Sequence, residues 1–228
     1  MSILTQTKKA IAFDWLKEFP ELSSYTQNVF LRIVGPIIIG IEIVKLPFSD
    51  KYRPHFVCYA LWKQNIKECM DTPLIYQEIK TKNGLQFAIP YTQNNNYFFE
   101  AVECTKLQTS ILSHDIISSQ MLYGIIDNQF NFTLIKNHPA HRANLYAFKF
   151  YVALYIGDNR QMQNTLNTIQ KESLDWNMLL FELWHGDFNK WLKHLEEETT
   201  CQTAFMAIIS TNKQDKKLKK LPNFEITQ

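Results

Sequence analysis

Glycine is scarce in this 228-residue chain: six residues, widely scattered, with no Gly-x-Gly spacing. That leaves no glycine-rich loop whose backbone N–H groups could cradle a phosphate. Cysteine is equally thin. Cys58, Cys69, Cys104 and Cys201 include no Cys-x-x-Cys pair and are expected to be reduced, mostly buried small apolar residues. Long apolar runs are missing too. The longest, VGPIIIGIEIV, is too short to span a bilayer and carries Glu42, so no membrane partner is expected. The stretch MSILTQTKKAIAFDWLKEFPEL has neither a continuous apolar segment nor a small-residue cleavage site, which predicts no secretory signal and a cytoplasmic protein.

Charge of one sign is also lacking. With 24 basic and 22 acidic residues the net charge is +2. From Cys201 onward five lysines face Asp215 and Glu225, which gives that end +3 and leaves the body at −1. This predicts a short solubilising basic tail. A binder of phosphate backbones needs a basic stripe on its body as well, so no nucleic-acid partner is expected.

What the chain has is apolar substance. Apolar residues make up 46% and aromatics 14%, with 16 Phe and 10 Tyr, enough for a real core. Ile11, Trp15 and Phe19, four apart, predict a helix over 5–19 that Pro20 closes. The period then changes. NVFLRIV, PIIIGIEIVKL and RPHFVCYALW are rich in β-branched and aromatic residues and read as strands, the second covered on both faces. Asn83-Gly84 predicts a two-residue type I′ turn joining a strand near 74–81 to LQFAIPY.

After TQNNN the pattern is helical, with candidates at 97–110, 114–127, 139–156, 159–172, 175–185, 188–198 and 201–210. The expected fold is α+β: an N-terminal helix, a mainly antiparallel β-meander, then C-terminal helical hairpins. In this division 1–95 carries the helix and sheet and 96–228 the helical region with its basic tail. No Gly/Ser-rich linker separates them, so the two portions can share one core.

Two copies of one pattern stand out. LYIGDNRQMQNTL (154–166) and LWHGDFNKWLKHL (183–195) align without gaps at an offset of 29 residues. Gly157 and Gly186 are placed to end one helix in the left-handed conformation, and Asp158 and Asp187 to cap the next, with Gln161 completing a capping box on Asp158. Two αα-hairpins in tandem form a short array of the kind that presents a surface to other macromolecules.

Candidate chemistry is sparse. KNHPAHR places His138 at a helix cap, Pro139 at the first helical position and His141 within the first turn, so that only one imidazole would project from the helix face. No Cys, Asp or Glu nearby completes a ligand set, and neither a metal nor a cofactor is expected. SHD at 113–115 reads as an N-cap serine followed by polar first-turn residues. Glu100 and Glu103 read as a solvated face. If an enzyme site exists, it assembles from distant residues such as His55, His114, Glu100 or Glu103. Between Glu172 and Glu198, seven acidic residues face Lys190 and Lys193, a net of −5. Glu182, Asp187, Glu196 and Glu197 are the candidates for an acidic surface that steers a basic protein partner.

The order of segments FDWLKEFPEL, RIVGPIIIGIEI, YRPHFVCYALW, the Gly-Asp hairpins, FELWHGDFNKWLKHL and KKLKKLP resembles poorly characterised bacterial proteins of the toxin-immunity kind. The resemblance implies a non-enzymatic protein that binds one cognate toxin tightly. No inhibitory position transfers residue by residue. A helical-repeat adaptor or scaffold, or an enzyme with a dispersed site, are the alternatives.

Overall fold

The computed structural model describes residues 3–227, with the side chains of the first helix described from residue 8 onward. That helix, α1 (Ile3–Glu18), is followed by five strands: β1 (Ser23–Thr26), β2 (Val29–Val34), β3 (Ile37–Lys45), β4 (Lys51–Ala60) and, after the short helix α2 (Ile66–Asp71), β5 (Ile75–Glu78). They form an antiparallel meander in sequence order, with β3 paired along its whole length to β4 from Ile37↔Ala60 to Lys45↔Tyr52. A short strand β6 (Ile89–Pro90) also joins β4, opposite Lys51 and Tyr52.

The rest is mainly helical: α3 (Asn94–Gln108), β7 (Ile117–Ser118), α4 (Ser119–Gln129), α5 (Thr133–Lys136), α6 (Pro139–Ile156), α7 (Asn159–Glu172), α8 (Met178–His185), α9 (Phe188–Glu198) and α10 (Gln202–Lys213), then strands β8 (Asn223–Phe224) and β9 (Ile226–Thr227). The protein is α+β, with an N-terminal helix, a β-meander and a helical C-terminal portion. No helix among the described residues is long and apolar enough to cross a membrane.

The sheet buries both faces because successive side chains alternate across it. On one face Phe30, Ile39, Ile41 and Phe56 pack with Trp15 of α1, Phe98 of α3 and Ile126 of α4. On the other, Leu31, Ile33, Ile38 and Val57 meet Ile169 of α7, Leu192 of α9 and Phe205 of α10. Helix α6 serves both layers, with Phe148 and Val152 in the first and Phe150 and Leu154 in the second. The two-sided burial expected of the PIIIGIEIV strand follows: Ile37, Ile38, Ile39 and Ile41 are all buried.

Several local expectations need correcting. The Asn83-Gly84 turn is not type I′, since among the described residues Phe48 is the one non-glycine with positive φ. The Gly84 N–H donates to Thr81 O at 2.9 Å and the Thr81 N–H to Leu85 O at 2.8 Å, with Gly84 at φ 76°. This is a three-residue hairpin loop whose last position alone is left-handed, so only glycine was needed there. It closes on a single bridge, Lys80↔Gln86, and the following strand pairs with β4 instead of β5. Helix α4 begins after Ser118, whose Oγ accepts from the Met121 N–H at 3.2 Å. Ser113 instead ends a 3-10 turn, so SHD caps nothing.

The lysine-rich end is not a free tail. Leu218 and Leu221 are buried, and the residues after them strap the sheet. The Ile33 N–H donates to Pro222 O at 2.8 Å and the Gly35 N–H to Phe224 O at 2.9 Å, which places β8 parallel to β2, while β9 pairs with β7. Arg32, fully buried, donates to the carbonyls of Ile111 and His114 and lies 4.8 Å from the Phe224 ring. Sheet, connecting loop and chain end thus meet on one guanidinium. The lysines stay outside because only the leucines between them pack, a period that charge counting does not see.

Candidate functional site

The Gly-Asp hairpins exist, with differences between them. Gly157 ends α6 at φ 73°, ψ 25°, and the Asp158 N–H reaches back to Ala153 O at 2.9 Å, which completes a Schellman closure. Asp158 then caps α7 by accepting from the Gln161 N–H at 2.9 Å. The capping box is not formed: the Asp158 N–H is already used, and the Gln161 side chain bonds Thr165 instead. Gly186 ends α8 at φ 71°, ψ −156°, which is not the expected left-handed helical conformation. Asp187 caps α9 by accepting from the Lys190 N–H at 2.8 Å.

Helix α8 is the unusual element. Its residues MLLFELWH are overwhelmingly apolar, yet Phe181 is the one fully covered side chain in it. Phe181 sits within a ring cluster of Trp176, His185, Phe188 and Trp191, at centroid distances of 5.0 to 5.7 Å, and this cluster holds α8 to α9. Much of the rest faces solvent: Leu179 and Leu183, on the side away from Phe181, are 82% and 78% exposed, and Trp184, one turn after Phe181, is 65% exposed. Leu179 and Leu183 are one turn apart, and Glu182 neighbours Leu179 three positions on. Leu174, just before the helix, is also exposed.

All four acidic candidates are exposed, but they occupy different places. Glu182 belongs to the α8 ridge and Asp187 stands at the turn beside it. Glu196 and Glu197 lie at the far end of α9, about 14 Å along the axis from Asp187 at the usual helical rise. Glu197 is 3.5 Å from Lys193, and Glu198 pairs with His194 at 3.6 Å. Glu172, counted in the same acidic stretch, is bonded to Arg142. Ion pairs with Arg142 and Lys193 therefore engage Glu172 and Glu197, while none is formed by Glu182, Asp187 or Glu196 among the described residues.

The two histidines of KNHPAHR both come into play, contrary to the expectation that one would turn away. His138, the cap residue, has an extended backbone (φ −111°, ψ 106°) that swings its ring back over the first turn. The His138 and His141 rings lie 4.1 Å apart, each 6.3 Å from the Trp184 ring. Burial, then the neighbouring His138 and His185, push the proton affinity of His141 below the ordinary histidine value. His185 donates from Nε2 to Ala140 O at 3.1 Å, and burial lowers its pKa despite that bond. Among the described residues no group of three or more His, Cys, Asp and Glu could hold a metal ion.

The dispersed candidates do not converge. Glu103 is exposed and pairs with Lys82 at 2.8 Å, Glu100 is exposed, and the backbone of His114 serves Arg32. His55 has company of a different kind, from neighbouring strands: Glu42 stands opposite it on β3 and Glu78 on β5. Its ring stacks on Tyr76 at 4.6 Å, and burial lowers its pKa. Burial raises that of Glu42, while Lys80 and Arg53 hold Glu78 below the usual carboxylate range against its own burial. His55 Nδ1 and Arg53 Nε, two positions apart on one face, are both buried without a hydrogen-bond partner. The cross-strand register that assembles this group was not legible, because it depends on a pairing offset that local patterns do not fix.

Clefts also mark the surface. One, of about 230 Å³, is lined by the amides of Gln77, Gln108, Asn128, Gln129 and Asn131 and has no ionisable side chain. No family model, curated protein or solved structure matches this chain.

Proposed function

We propose that this chain is a non-enzymatic protein-binding protein whose contact surface is the outer face of α8 with its acidic flank. The particular reading is an immunity-type protein that neutralises a cognate toxin through a basic domain of that toxin. One observation carries it: an eight-residue helix leaves Leu179, Leu183 and Trp184 in solvent with Glu182 among them. Covering a side chain of this size is worth about 1.5–3 kcal/mol, so large apolar side chains left exposed on one short helix are stabilisation held in reserve for association. Exposed leucines and a tryptophan flanked by Glu182 and Asp187 supply the two ingredients of a protein interface, apolar anchors and charged neighbours. Glu182 and Asp187, free of lysine partners, would speed encounter with a basic surface.

The test is a paired capture. Wild type and a Leu179→Ser/Leu183→Ser/Trp184→Ser variant are used as bait, and the captured proteins are identified by mass. The expected result is a basic protein held by the wild type and lost from the variant, with the two baits giving the same circular dichroism. That protein should arrest growth when expressed alone and not when co-expressed with this chain. Equal capture by both baits would remove the α8 face from the proposal, and a captured protein without toxicity would remove the immunity reading.

A further inference from the structure

Three of the chain's six histidines meet where α6 begins and α8 ends, directly behind the exposed ridge. We propose that His138, His141 and His185 form a proton-operated release for that ridge, with Trp184 as the residue that responds. This rests on reading the ridge as a docking face for a basic partner.

The geometry gives the sign. The His138 and His141 rings are 4.1 Å apart at the N-terminus of α6, where the helix dipole already presents positive charge. Charge on His141 is opposed by its burial, by the imidazoles beside it and by the helix end, so acid drives the rings apart. Trp184 touches both rings and cannot keep its place when they separate. His185, the next residue, is the peg that fixes the end of α8 to Ala140 O.

The surrounding charges do not cancel the effect. On α6, Arg142 is turned to Glu172 of α7 and to the Tyr146 hydroxyl. Lys136, at the end of α5, adds positive charge two residues before His138. From α9, Trp191 faces His185, while the cap carboxylate of Asp187 accepts from its own helix. The charges bearing on His141 are the other two imidazoles. On α8 itself Glu182 stands beside the ridge, and new positive charge behind it cancels the attraction for a basic partner. Both routes weaken binding as pH falls. Because His141 and His185 are shifted downward, the response lies below the ordinary histidine value of about 6.5.

The experiment has two readouts, taken between about pH 7.5 and about pH 5.5 at fixed salt. The first needs no partner: the emission of wild type minus that of Trp184→Phe isolates the Trp184 signal. The second is the affinity for a synthetic amphipathic Lys-Leu helix, the probe for a basic partner. Expected are a Trp184 signal that titrates and a probe affinity that falls about tenfold. Both changes should be lost in His138→Gln/His141→Gln, and weakened in His141→Gln alone, which changes an exposed side chain and keeps the fold. A Trp184 signal that is flat, or that titrates unchanged in the double variant, overturns the release. So does a probe that binds with the same affinity across the range. A probe that binds at neither pH, beside a Trp184 signal that titrates, overturns the docking reading alone.

Discussion

The two Gly-Asp hairpins share a sequence pattern and differ in what they do with it. Helix α6 has eighteen residues and buries ten of them, whereas α8 has eight and buries one. In the first hairpin the glycine closes a Schellman turn, so the chain turns back tightly and α7 lies on the sheet layer. In the second the glycine combines a positive φ with ψ −156°, outside the left-handed helical region, and α9 returns through a cluster of rings. The recurring residues specify the junction. They do not specify which face of the helix is covered, and that is where the hairpins part company.

The largest expected effects separate buried from exposed apolar residues. Phe150→Ala in α6 should lower stability by about 3–5 kcal/mol, because it empties a fully covered site. Leu183→Ala in α8 should cost under about 0.5 kcal/mol. Urea titrations of the two variants decide this, and similar losses would erase the contrast. The junctions come next. Gly186→Ala places a Cβ on a backbone nearly exclusive to glycine and should cost about 1–3 kcal/mol. Gly157→Ala, in ordinary left-handed helical conformation, should cost about 1–2 kcal/mol and less than its counterpart. Thermal melts of the pair show whether the order holds. The smallest effect tests what the hairpins share. Asp158→Ala and Asp187→Ala should each cost about 1 kcal/mol, with Asn at either position restoring most of it. A silent Asp187→Ala would mean that this cap contributes nothing to α9.

Much of this was written in local sequence. The bounds of α6, α7 and α9 follow from Pro139, the two Gly-Asp junctions and the apolar period between them, all signals within a few residues. Helix α2 was missed although Asn65 and Glu68 carry a capping pair, with the Asn65 Oδ1 accepting from the Glu68 N–H at 3.1 Å. Six residues are too few for the apolar period to register. Strands β8 and β9 were invisible because each is a two-residue pairing with a partner far away in the chain. The same holds at the candidate site. Glu182 and Asp187 are readable as exposed acids, but the exposure of Leu179, Leu183 and Trp184 is not. An apolar octapeptide looks like core, and only the tertiary placement of Phe181 reveals which side was used.

The closing strap also bears on the order in which this protein is made. Strand β2 lies within the first 34 residues, yet part of its edge is completed by residues 222–224, and Arg32 meets Phe224 only then. Synthesis proceeds from the N-terminus, so the meander must wait on the ribosome with that edge of β2 open while nearly two hundred further residues are added. An unpaired, apolar strand edge is a template for pairing with another chain. Until residues 222–224 are made, that edge of β2 is therefore the part of the sheet most open to association with another chain.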